Sequence, residues 1–164
     1  MSSTIPGGAF DDFIFGTSSG DFIMSGGGND VVSAAAGDDQ VFGEAGDDLL
    51  FGATGDDLLD GGDGDDRMLG GGGDDALFGG GGADTLSGGD GDDVLRGDAG
   101  PDLAYGDAGD DLLAGGLGDD QLYGGEGGDT LIGEAGDDTL RGENGDDALE
   151  GGKGSDSLDG GDGA

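Results

Sequence analysis

Apolar residues recur along this chain at a fixed interval of nine. The row runs Ile14, Ile23, Val32, Val41, Leu50, Leu59, Met68, Leu77, Leu86, Leu95, Ala104, Leu113, Leu122, Leu131, Leu140, Leu149 and Leu158, with no insertion or deletion. Each stands between two residues that are mostly more polar. Three such residues read as a minimal β-strand with its middle side chain turned inward. The remaining six residues of the unit are rich in Gly and Asp, which reads as a loop. A helix is excluded, because Gly recurs through nearly every unit and each one costs about 1 kcal/mol against Ala in a helix. One strand and one loop make half a coil, so two units, 18 residues, close a turn. The predicted fold is all-β: a two-sheet parallel solenoid, or β-roll, with two columns of loops joining very short strands.

The polar positions keep the same period. With the apolar residue as position eight, position six is Asp in 17 successive units. These are Asp12 and Asp21, then Asp30, Asp39, Asp48, Asp57, Asp66, Asp75, Asp84, Asp93, Asp102, Asp111, Asp120, Asp129, Asp138, Asp147 and Asp156. Position four is Gly from Gly28 to Gly163, and position one is Gly from Gly43 to Gly160. The unit reads G-G-x-G-x-D-x-U-x, with U apolar; Gly79-Gly80-Gly81-Gly82-Ala83-Asp84-Thr85-Leu86-Ser87 is one copy. Gly at positions one and four is expected to supply positive φ and close backbone approach.

Composition turns this pattern into a problem of charge. The 164 residues include 47 Gly, 40 acidic and 4 basic residues, for a formal charge of −36. Such a charge with so few large apolar residues belongs to chains that stay disordered unless something cationic neutralises them. There is no Cys and no His. Disulfides, thiolate sites and nucleophilic triads are excluded, and no enzymatic activity is expected. A strongly negative surface repels nucleic acid and anionic membranes. No apolar run approaches the length of a membrane span. Residues Met1 to Gly7 lack the basic and apolar regions of a secretory signal peptide.

Stacking would place one position-six carboxylate per coil in each loop column, about 4.8 Å from the next. Each neighbouring pair would repel by roughly 3.5 kcal/mol at an effective dielectric of about 20. Summed along both columns, this exceeds the roughly 5–15 kcal/mol that holds a domain together. A dication between successive loops reverses the sign. Donors that are all oxygen suit a hard ion, and flexible Gly loops suit Ca²⁺ better than Mg²⁺. Filling every gap would take up to about 13 Ca²⁺ ions and bring the charge from −36 to about −10.

At these residues the chain resembles the RTX, or haemolysin-type, calcium-binding repeats of bacterial exported proteins, over roughly residues 25–163. The resemblance implies a parallel β-roll in which the aspartates from Asp30 to Asp156 bridge adjacent turns, with glycine carbonyls completing each site. It also implies secretion, folding on contact with extracellular calcium, and type I export through a signal C-terminal to the repeats; none is seen up to Gly163-Ala164. Residues 1–24 are expected to form an N-terminal cap of degenerate repeats, and 25–164 the tandem calcium-binding roll. Phe10 and Ser19 stand at position four of the first two units, so Asp12 and Asp21 are expected to cap without binding. The position-five acids such as Asp38, Asp47 and Asp56 read as outward, solvated charges. Outward positions seven and nine of the first half carry Phe13, Phe15, Phe22, Phe42, Leu49, Phe51, Leu58, Leu69 and Phe78, an apolar flank suited to docking a neighbouring domain or subunit. The competing readings are an adhesin-like surface-binding segment and the repeat fragment of a secreted enzyme or toxin.

Overall fold

The structure, a computed structural model, describes residues 4–163. Its strands fall into two parallel sheets that alternate along the chain. One sheet holds β1 (Thr4–Gly8), β3 (Phe22–Gly27), β5 (Gln40–Ala45), β7 (Leu58–Asp63), β9 (Ala76–Gly81), β11 (Val94–Ala99), β13 (Leu112–Leu117), β15 (Thr130–Ala135) and β17 (Ala148–Glu150), in that order. The other holds β2 (Phe13–Phe15), β4 (Val31–Ala36), β6 (Leu49–Thr54), β8 (Arg67–Gly72), β10 (Thr85–Asp90), β12 (Leu103–Ala108), β14 (Gln121–Glu126), β16 (Thr139–Asn144) and β18 (Ser157–Asp159). Each residue pairs with the one 18 positions later, as Leu77 does with Leu95 and Leu86 with Ala104. The fold is thus the β-roll of about nine turns that the period of nine predicts.

The apolar row forms the core. From Ile14 to Leu140 every position-eight residue is buried, together with Ala34 at position one. The row loosens at its end, where Leu149 is partly buried and Leu158 is 47% exposed. A thin core of this kind suits a solenoid, in which each coil contacts chiefly its neighbours.

The strands are longer than three residues. Most run six, through positions seven to nine and on through one to three, and leave only positions four to six as the turn. Glycine at positions one to three looks like loop in the sequence, yet a residue without a side chain pairs freely when the next coil lies directly against it. Position one is where this matters most. A Cβ on Gly61 would come under 3.0 Å from Asp66 Oδ2 and from the Gly79 carbonyl oxygen. Position one therefore needs Gly for room. Positive φ falls instead at position four, as expected, and at position two. Seven position-two residues adopt it without being Gly: Ala35, Glu44, Ala53, Asp98, Asp107, Glu134 and Glu143, with φ between 70° and 88°.

Candidate metal centre

Each turn must satisfy four successive backbone N–H groups, and the sequence assigns each a different acceptor. The position-four N–H donates to the position-three carbonyl of the following coil, as Gly64 does to Gly81 at 2.7 Å. The position-seven N–H donates to the position-six carbonyl of the preceding coil, as Arg67 does to Asp48 at 2.9 Å. Between them the backbone offers nothing, and side chains take over. The position-six N–H donates to the Asp carboxylate of the following coil: Asp48 to Asp66 Oδ1 at 2.7 Å, Asp66 to Asp84 Oδ1 at 2.8 Å. The position-five N–H donates the other way, to the carboxylate of the preceding coil, as Asp65 does to Asp47 Oδ1 at 3.1 Å.

The aspartates picked out by register thus occupy one chemical position. From Asp30 to Asp138 they are all buried, each with 1–3% of its surface exposed. Oδ1 is engaged by the neighbouring coil. Oδ2 is not: in the fourteen aspartates from Asp30 to Asp147 it is buried with no hydrogen-bond partner. Beside it lies another oxygen. Asp48 Oδ2 and the Gly61 carbonyl oxygen converge on the space a Cβ of Gly43 would fill, and Asp57 Oδ2 and the Gly70 carbonyl do the same at Gly52. Two acceptors facing one space with no donor between them repel unless a proton or a cation joins them.

The electrostatics agree. Burial raises the pKa of Asp66, Asp102 and Asp111 to about 7, outweighing the backbone N–H each accepts, with aspartates of adjacent coils adding to the rise. Asp48, Asp57, Asp75, Asp84, Asp93 and Asp120 rise to about 6 for the same leading reason. Among the described residues, no three acidic side chains gather at one point. The carboxylates are distributed one per loop, so an ion shared between loops would draw its remaining ligands from backbone carbonyls. The donors are oxygen alone, the set that suits Ca²⁺.

The first two loops differ. Asp12 Oδ2 accepts the Gly8 N–H at 2.7 Å, and Asp21 Oδ2 accepts the Thr17 N–H at 2.6 Å. The oxygen left bare elsewhere is satisfied here by the loop's own backbone. Next come Ser25 and Ala34 at position one, whose Cβ atoms occupy the space that Gly leaves open later. The Ser25 hydroxyl also donates to the Gly43 carbonyl at 2.8 Å.

The position-five acids are more than solvated charges, since their Oδ1 atoms accept the N–H groups just described. The register of the repeat does not by itself reveal this ladder. Its one sequence signal is a break: Ala83, which offers no side-chain acceptor, is followed one coil later by Pro101, which has no N–H to donate.

The geometry is matched by comparison. A family model of the RTX calcium-binding nonapeptide repeat, in blocks of four copies, matches residues 6–41, 24–59, 42–77, 51–86, 69–104, 87–122, 123–158 and 141–164. No curated protein matches the chain significantly. Nonapeptide register, parallel β-roll and loop carboxylates together place the chain in the RTX calcium-binding repeat family, as a calcium-binding repeat module.

Proposed function

We propose that the chain is a calcium-triggered folding module, and that the position-six aspartates from Asp30 to Asp156 carry the ions. The observation that supports this best is the row of fourteen buried Oδ2 atoms without partners. Ionised and bare, they oppose the coil; joined through Ca²⁺ to carbonyls of the adjacent turn, they hold it. The loops from Asp48 onward have Gly at position one and the most room. The loops of Asp30 and Asp39 are narrowed by Ser25 and Ala34, and bind last. Residues up to about 24 act as a metal-independent cap, supported by the satisfied carboxylates of Asp12 and Asp21.

A chain of charge −36 with this family match fits a bacterial exported protein, unfolded where calcium is scarce and coiled where it is plentiful. Circular dichroism during a calcium titration tests the module. Strand content should be low in EGTA and rise cooperatively with calcium, while native mass spectrometry counts up to about 13 ions. Unchanged strand content from EGTA to about 10 mM Ca²⁺ would end this reading.

A further inference from the structure

The outward apolar residues divide between the two faces of the roll, and on one face they frame an acid. Position nine of successive odd strands sets Met24, Phe42, Asp60 and Phe78 side by side. Asp60 is in register with Phe42 on one side and Phe78 on the other. All three are half-buried. Among the described residues the Asp60 carboxylate has no hydrogen-bond or ion-pair partner. The charge that acts on it is Asp98, which repels it. Arg96, further along the same row, is already engaged with Asp98 at 2.7 Å.

Beside Asp60 the surface opens into a groove of about 370 Å³, lined by Phe22, Met24, Phe42, Glu44, Asp60 and Gly62. Phe22 and Phe42 pack at 5.4 Å between ring centroids and form an apolar wall. Gly62 contributes no side chain and leaves the floor open to backbone. The volume lies within the range of small-ligand sites. The groove is mostly apolar, yet its polar groups are two carboxylates.

We propose that this groove binds the lysine or arginine side chain of a basic partner protein. The aliphatic stem lies against Phe22, Met24 and Phe42, and the charged head sits between Asp60 and Glu44. Aromatic faces and carboxylates both attract a cation. A neutral apolar ligand would leave Asp60 without a partner, and an anion would be repelled. Calcium, strongly hydrated, gains nothing from the phenyl wall. The net negative charge left on the calcium-loaded coil, about −10 with every site filled, draws any basic protein toward it; the aromatic groove is what selects one contact.

The test uses the full chain loaded with calcium, titrated by calorimetry with a blocked peptide of alternating Lys and Leu. Binding should saturate. Asp60→Asn and Phe42→Leu should each weaken it by about tenfold, the second because a cation–π contact is lost while the apolar wall remains. Asp159→Asn, the same charge change on the other sheet, should leave affinity within about twofold. Equal losses for Asp60→Asn and Asp159→Asn would mean field attraction alone and would overturn the proposal, as would an unaltered affinity for Phe42→Leu. Circular dichroism of each calcium-loaded variant separates loss of the groove from loss of the coil.

Discussion

Gly79 and Gly81 lie two residues apart on β9, and the repeat treats them very differently. A methyl group on Gly79 would press on Asp84 Oδ2 and on the Gly97 carbonyl, while one on Gly81 would meet only Asp63 Oδ1 at 3.8 Å. Gly79→Ala should therefore cost about 1–3 kcal/mol by overpacking and raise the calcium concentration needed for folding. Gly81→Ala should change stability by no more than about 0.5 kcal/mol. Thermal unfolding in calcium, with a calcium titration of each variant, checks both. Position two carries the opposite lesson. Ala53 sits at φ 86°, a conformation that costs a residue with a Cβ about 1–2 kcal/mol. Ala53→Gly should raise the calcium-loaded unfolding temperature, since the strain relieved exceeds the entropy that Gly adds to the unfolded chain. An unchanged or lowered midpoint would show that the strain is absorbed elsewhere.

At the scale of the element, strand and turn are divided differently from what side-chain pattern alone suggests. The period of nine and the inward row from Ile14 to Leu140 could be read directly, because burial of one side chain per unit leaves a mark in hydrophobicity. Strand length could not, because Gly72 or Gly81 in a strand carries no mark at all. Which of its two expected roles Gly61 plays was hidden for a related reason: room and positive φ select the same residue. The carboxylates of position five read as solvated charges because exposure says nothing of hydrogen bonding. Asp110 Oδ1 accepts the Gly128 N–H at 2.8 Å, and one natural unit carries an amide instead: Asn29 Oδ1 accepts the Asp47 N–H at 3.1 Å. Asp110→Ala should thus cost about 0.5–1.5 kcal/mol, the worth of one such bond. Asp110→Asn, which keeps the acceptor, should recover most of it. Equal losses in the two variants would return position five to the role of a bare charge.

Across the whole molecule, proton and calcium compete for the same oxygen. In the coil, Asp66, Asp102 and Asp111 titrate near 7 and six further position-six aspartates near 6, against an ordinary value of 3.8. Between about pH 4 and about pH 7 the coiled chain accordingly holds more protons than the unfolded one. Where the folded state binds more protons, stability falls as pH rises. Without metal, the coil is therefore weakest above pH 7, gains stability as pH falls through 7 and 6, and gains no more near 4, where the unfolded chain is protonated too. Calcium affinity runs the other way, falling as pH falls, because each proton on a position-six carboxylate must leave before Ca²⁺ can bind. In EGTA, far-ultraviolet circular dichroism should show strand content growing from about pH 7.5 to about pH 5. Over the same range the calcium affinity of the coiled chain, read from ions bound and not from strand content, should fall. A metal-free chain that shows no gain on acidification, or a calcium affinity indifferent to pH, would mean that the position-six carboxylates do not meet a bare oxygen in the coil. Both curves must bend together, since a single row of oxygens is asked to take either partner.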